Sequence, residues 1–96
     1  MIKAGIIGAT GYTGGELVRI LSQHPAVTID FLYSTTRAGR PVHSAHPDLL
    51  GMVDMTLTDR VNPEVDVVFL CLGHGASAAF LTEHPFSAHT KIIDLS

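Results

Sequence analysis

Gly8-Ala9-Thr10-Gly11-Tyr12-Thr13-Gly14 is the stretch on which the reading of this 96-residue chain turns. Immediately before it, Ile2 to Ile7 is short, apolar and rich in β-branched residues, which suits a buried strand better than a helix of that length. After it, Leu17, Val18, Ile20 and Leu21 recur at spacings of three and four between Gly14 and Gln23. With Glu16 in the expected first turn and His24-Pro25 ending the pattern, that segment predicts an amphipathic helix. Val27 to Tyr33, rich in β-branched and aromatic residues, predicts a second strand. Strand, helix and strand thus fit into about 33 positions, as a right-handed parallel crossover requires.

A glycine-rich turn between a strand and a helix is where a dinucleotide fold places its phosphate loop. The spacing here is Gly-x-x-Gly-x-x-Gly rather than the commoner Gly-x-Gly-x-x-Gly, yet each glycine has a mechanical task. Gly8 makes the sharp turn off the strand, Gly11 lets a pyrophosphate approach, and Gly14 packs the helix on the sheet. Backbone N–H groups around Tyr12 and the helix dipole then favour an anion. Thr10 and Thr13 either add hydroxyl donors or cap the helix.

The choice of cofactor is read about 20 residues beyond such a loop, where an acid holds a ribose diol and a basic residue accepts a 2′-phosphate. Here the second strand runs into Ser34-Thr35-Thr36-Arg37 without an acid, and Asp30 lies too early in the strand to reach over its tip. Ser34 and Arg37 stand where phosphate oxygens would arrive, so NADP is expected over NAD. The plainer alternative makes Arg37 and Arg40 ordinary solvated loop cations.

Farther along, Ser34 to Leu57 has no sustained period and contains Gly39, Pro41, Pro47 and Gly51. It predicts a long connection with one short strand at Met55 to Leu57. Val65 to Leu72 is a nearly continuous apolar run, as in a strand covered on both faces. Ala76 to Glu83 predicts a short helix, and Lys91 to Leu95 a last parallel strand. The expected class is α/β, a Rossmann-like parallel sheet. Because a strand followed at once by the C-terminus leaves such a sheet without a covering helix, residues 1–96 read as one incomplete dinucleotide-binding domain. Ile92, Ile93 and Leu95 are then expected to be exposed, which favours self-association.

Gly73-His74-Gly75, at the carboxyl end of the apolar strand, falls where such sheets meet the nicotinamide half of the cofactor, which makes Leu72, Gly73 and His74 candidate neighbours. His74 reads equally well as a polar loop residue beside a helix start, with Ser77 as a late cap. Cys71, the single cysteine, sits among Leu70 and Leu72 with no adjacent base. It is expected to be a small buried hydrophobe with a raised pKa, not a nucleophile. His43 and His46 have only Asp48 nearby and are read as polar loop residues; no metal site is expected.

Composition narrows the remaining classes. With 46% apolar and 16% charged residues and a mean hydropathy of +0.31, the chain can build a core. No apolar run approaches the roughly 20 residues of a membrane span, and Met1-Ile2-Lys3-Ala4-Gly5 shows no basic region ahead of an apolar stretch, so neither membrane insertion nor export is expected. A lone cysteine excludes an internal disulfide, so a reducing, cytoplasmic setting is expected. A net charge of −3 with scattered basic residues argues against nucleic acid.

Taken together, three stretches resemble the N-terminal part of the N-acetyl-gamma-glutamyl-phosphate reductase family: Gly8 to Leu17, Asp66 to Gly75 with its Leu-Gly-His-Gly, and the terminal Asp94-Leu95-Ser96. Aspartate-semialdehyde dehydrogenases share the glycine loop but not the combination. The resemblance implies an arginine-biosynthesis enzyme, a homo-oligomer, that reduces an acyl phosphate to the semialdehyde with NADPH. Ser96 joins the cofactor-binding set on the same ground. It also implies that the catalytic cysteine, in an Asn-Pro-Gly-Cys motif, and a histidine base lie in a second domain beyond residue 96. No catalytic residue is then expected in this chain, which alone would bind cofactor and catalyse nothing. An aspartate-semialdehyde-type reductase and a non-catalytic NADP-sensing module are the alternatives.

Overall fold

The computed structural model describes residues 1–73 and 75–95. Four parallel strands form one sheet: β1 (Ile2–Ile7), β2 (Val27–Tyr33), β3 (Val67–Leu70) and β4 (Lys91–Asp94), in the order β2-β1-β3-β4. Helix α1 (Tyr12–Ser22) links β1 to β2, and α2 (Ser77–Glu83) links β3 to β4. The chain first steps from β1 to one side and then crosses back to place β3 on the other. That reversal opens a switch point at the carboxyl ends of β1 and β3, where open parallel sheets bind ligands.

The sheet separates two apolar clusters. Val18 and Leu21 of α1 pack with Ala4 and Ile6 on one face, and Phe80 and Leu81 of α2 pack with Ile7, Val68 and Leu70 on the other. β2 contributes to both through a bulge. Ala4 pairs with Ile29 but Gly5 pairs with Phe31, so Asp30 is the extra residue. Before the bulge Val27 and Ile29 face α1; after it Leu32 does, while Phe31 and Tyr33 turn to the α2 face. Gly5 accepts the Phe31 ring in the space where a Cβ would collide with it. Asp30, left on the outside, accepts a hydrogen bond from Asn62 Nδ2 at 3.1 Å.

Several boundaries differ from the sequence reading. Helix α1 begins at Tyr12, two residues before Gly14, because Gly11 rather than a threonine takes the N-cap position. Glu16 therefore lies beyond the first turn, where it pairs with Arg19 at 2.8 Å across the solvated face. The strand expected over Val65 to Leu72 is regular only over Val67–Leu70. It is also covered unequally: Val68 and Leu70 are fully buried, whereas Val67, Phe69 and Cys71 are half-buried because α1 lies toward β1 and β2.

No strand forms at Met55 to Leu57. Pro41 and Thr56 make an isolated antiparallel bridge and Tyr33 and Thr58 a parallel one, while two 3-10 turns, Val42–Ser44 and Pro47–Leu49, occupy the connection. Far from being a surface loop throughout, this segment buries Val42, Leu49, Val53 and Leu57 beneath α1. Strand β4 is exposed on both faces, with Ile92 and Ile93 at 45% and 41% of full exposure, as the sequence led one to expect.

Candidate dinucleotide site

Strand β1 ends at the glycine loop, and each glycine there meets a different constraint. Gly8 has φ +82°, a region that L side chains rarely adopt, and a Cβ on it would collide with the carbonyl oxygen of Cys71 at the end of β3. Gly14 faces the backbone of Gly8 and Ala9 so closely that any side chain would separate the helix from the loop. Gly11 is different: its φ is −81°, and a Cβ there would meet only the Gly8 carbonyl at 3.8 Å. Nothing in the fold demands a glycine at that position, and the space beside it is open.

The loop is held from both sides. The amides of Gly8 and Ala9 both donate to the Tyr33 carbonyl at 3.2 Å, tying the loop to the end of β2. The Gly11 amide donates to the Gly8 carbonyl at 3.3 Å, and the Gly15 amide opens the helical pattern by donating to Gly11 at 2.9 Å. No side chain caps α1, so neither Thr10 nor Thr13 plays that part. The amides of the first turn, at Tyr12, Thr13 and Gly14, have no acceptor within the helix, and the positive end of the helix dipole coincides with them. These donors fit a pyrophosphate.

A cleft runs beside them, lined by Thr10, Gly11, Tyr12, Ala45 and His46. Tyr12 is almost fully exposed at its rim. His46, read from sequence as a polar loop residue, instead reaches the glycine loop: its Nε2 lies 2.7 Å from the Ala9 carbonyl. Sequence reasoning missed this contact because 37 residues separate the partners. A larger concavity lies elsewhere, between Leu21, Val67, Phe69 and Ile93, where α1 stops short of β3 and β4. It is largely apolar and lies away from the carboxyl ends of the strands.

At the end of β2, Ser34 is buried and its hydroxyl accepts the Arg37 amide at 3.3 Å. Arg37 is half-buried and spends one guanidinium nitrogen on the Ser44 carbonyl at 3.1 Å. Leu72 and Gly73 leave β3 directly beside Gly8, because Cys71 donates its amide to Ile7 at 2.8 Å and lays its carbonyl against Gly8. Gly73 and Gly75 both have positive φ, +87° and +82°. His74 and Ser96 lie outside the described residues. Ala76 holds the N-cap position of α2, and Ser77 is the first residue of that helix.

Cys71 is half-buried and not fully buried as expected, but its pKa is raised as expected. Burial pushes its thiol above the ordinary value and the Asp94 carboxylate pushes it further, so the neutral form dominates. Among the described residues no group of three His, Cys, Asp or Glu side chains comes together to hold a metal. No helix among them is long and apolar enough to cross a membrane.

A glycine loop feeding an uncapped helix at a sheet's switch point defines a dinucleotide-binding module. The chain belongs to the semialdehyde dehydrogenase, NAD binding domain family, whose profile matches residues 3–96. Among curated relatives, the N-acetyl-gamma-glutamyl-phosphate reductase of Flavobacterium johnsoniae is 62% identical over 95 residues, which cover 99% of this chain and 29% of that protein. The reductase of the same name from Christiangramia forsetii is 56% identical over 96 residues, covering 100% of this chain and 30% of its own length. This chain thus spans less than a third of the relatives it matches. Among solved structures, aspartate semialdehyde dehydrogenase with NADP from Candida albicans superposes with a TM-score of 0.73 at 26% identity. The match covers 98% of this chain and 29% of that one.

Proposed function

We propose that residues 1–96 form the NADP-binding part of a reductase that converts N-acetyl-gamma-glutamyl phosphate to the semialdehyde in arginine biosynthesis. The observation that carries this reading is the open, uncapped glycine loop at the switch point, in a chain 62% identical to a reductase of that name. The likeness to an aspartate semialdehyde dehydrogenase is the second reading; at 26% identity it is weaker.

NADPH, when bound, supplies the hydride for reduction of an acyl group. The chain's own residues bind and orient it. In this reading Gly8, Thr10, Gly11, Tyr12, Thr13 and Gly14 cradle the pyrophosphate, and the first-turn amides of α1 neutralise its charge. Ser34 and Arg37 accept the 2′-phosphate. Leu72, Gly73, His74 and Ser96 flank the nicotinamide end. Cys71, with its raised pKa and half-buried position just past β3, has no catalytic part. The nucleophile and base belong to a second domain, the enzyme is a cytoplasmic homo-oligomer, and its substrate is a small acyl phosphate.

The test is run in a full-length reductase carrying residues 1–96 and the second domain, in the oxidative direction, with NADP and inorganic phosphate against N-acetyl-glutamate semialdehyde and aspartate semialdehyde in turn. Turnover of the acetylated substrate alone supports the reading. Preference for aspartate semialdehyde moves the assignment to the second reading, and no response to either substrate with tight NADPH binding moves it to a sensing module.

A further inference from the structure

We propose that His46 is a positioning residue for the phosphate-binding loop: it holds the Ala9 carbonyl and closes the floor of the cleft over Gly15. This rests on the dinucleotide reading of the site. The contact is short, 2.7 Å from Nε2 to the Ala9 oxygen. A carbonyl oxygen only accepts, so Nε2 carries the proton. In a trans peptide the C=O and N–H point in opposite directions, so pinning the Ala9 oxygen on the His46 side aims the Thr10 N–H away from it. The side chain thereby sets the direction of a backbone donor without needing to touch a ligand.

Two further observations show that the ring is placed and not merely resting there. A Cβ at Gly15 would overlap the His46 ring, with Nδ1 at 2.7 Å and Nε2 at 2.8 Å. Glycine inside a helix is unfavourable relative to alanine, and the ring accounts for its presence at this buried position. The backbone of His46 is itself fixed. Its amide donates to Val42 at 3.1 Å, its carbonyl accepts from Leu49 at 2.9 Å, and both of those residues are buried in the core. Pro47 disfavours the helical region for the residue before it, and His46 lies outside that region at φ −133° and ψ 83°. The connecting loop, through one side chain, thus controls the geometry of the glycine loop.

Two measurements in the full chain test this. Long-range ¹H–¹⁵N spectra should find the Nε2–H tautomer at His46 without cofactor; an unprotonated Nε2 would overturn the proposal whatever binds. In titrations, His46→Leu should bind NADPH about tenfold more weakly, and His46→Gln, whose Nε2 donor reaches a similar point, should recover most of that loss. Affinity for 2′-AMP, which lacks the pyrophosphate, should not change. Equal losses for NADPH and 2′-AMP would assign His46 to general loop folding and defeat the proposal, as would unchanged NADPH affinity in His46→Leu. Failure of the wild-type chain to bind NADPH would sink the cofactor reading instead, a distinguishable result because the tautomer is read without ligand.

Discussion

The carbonyl oxygen of Cys71 occupies the space that a side chain on Gly8 would need. The ends of β1 and β3 touch there backbone to backbone, and the switch point closes into a corner from which the glycine loop departs. With φ at +82° as well, Gly8→Ala carries two penalties. The left-handed conformation costs roughly 1–2 kcal/mol and displacement of a backbone carbonyl adds to it, about 3 kcal/mol or more in all. Thermal unfolding should show a large loss of stability, and a midpoint close to wild type would contradict the geometry.

Gly11→Val should behave in the opposite way. Its φ is ordinary and a Cβ meets nothing closer than 3.8 Å, so the fold should survive with the loss of about 1 kcal/mol expected for a poor N-cap residue. The branched side chain fills the space left for the pyrophosphate, and NADPH binding should be abolished. Circular dichroism checks the fold and fluorescence titration the binding; a folded variant with wild-type affinity refutes the assignment of Gly11.

Arg37→Ala should narrow the preference for NADP over NAD. A guanidinium–phosphate contact contributes about 1.5–3 kcal/mol, so NADPH affinity should fall roughly tenfold or more. Because Arg37 also donates to the Ser44 carbonyl, some affinity for both cofactors will be lost, and the ratio of the two dissociation constants is the informative quantity. An unchanged ratio transfers the role to another residue, with the exposed Arg40 nearest in sequence.

Cys71 provides a pH-dependent test. Its folded-state pKa is raised above 9.0, first by burial and then by Asp94, so the folded chain holds the thiol proton more tightly than the unfolded chain does. That contribution to stability is fully present below the ordinary thiol value and is lost as pH rises through the folded value. Alkylation by iodoacetamide at pH 8 should be slower than for a free thiol and should accelerate only in alkaline solution. Cys71→Ser should keep wild-type NADPH affinity, and fast alkylation at neutral pH would remove Cys71 from the structural category.

Much of the site could be read locally because its parts are contiguous. Gly8, Gly11 and Gly14 carry their spacing in the sequence, and the amphipathic pattern of Leu17, Val18 and Leu21 announces the helix behind them. The place of Asp30 inside the second strand was also legible, although the bulge that puts it outside was not. A bulge depends on what lies across the ladder, here the bare Gly5 that admits the Phe31 ring.

By itself the sequence determined the α/β class, the strand–loop–helix order and the position of the phosphate loop, because hydrophobic period and glycine placement are properties of neighbouring residues. Tertiary structure alone decided what constrains each glycine, since the approach of Cys71 and a positive φ make Gly8 obligatory while the fold leaves Gly11 unconstrained. It alone turned the aperiodic segment from Ser34 to Leu57 into a wall of the core and brought His46 to Ala9. Isolated apolar residues such as Val42 and Leu49 leave no period to detect, and a hydrogen bond spanning 37 residues is set by the packing of the whole sheet.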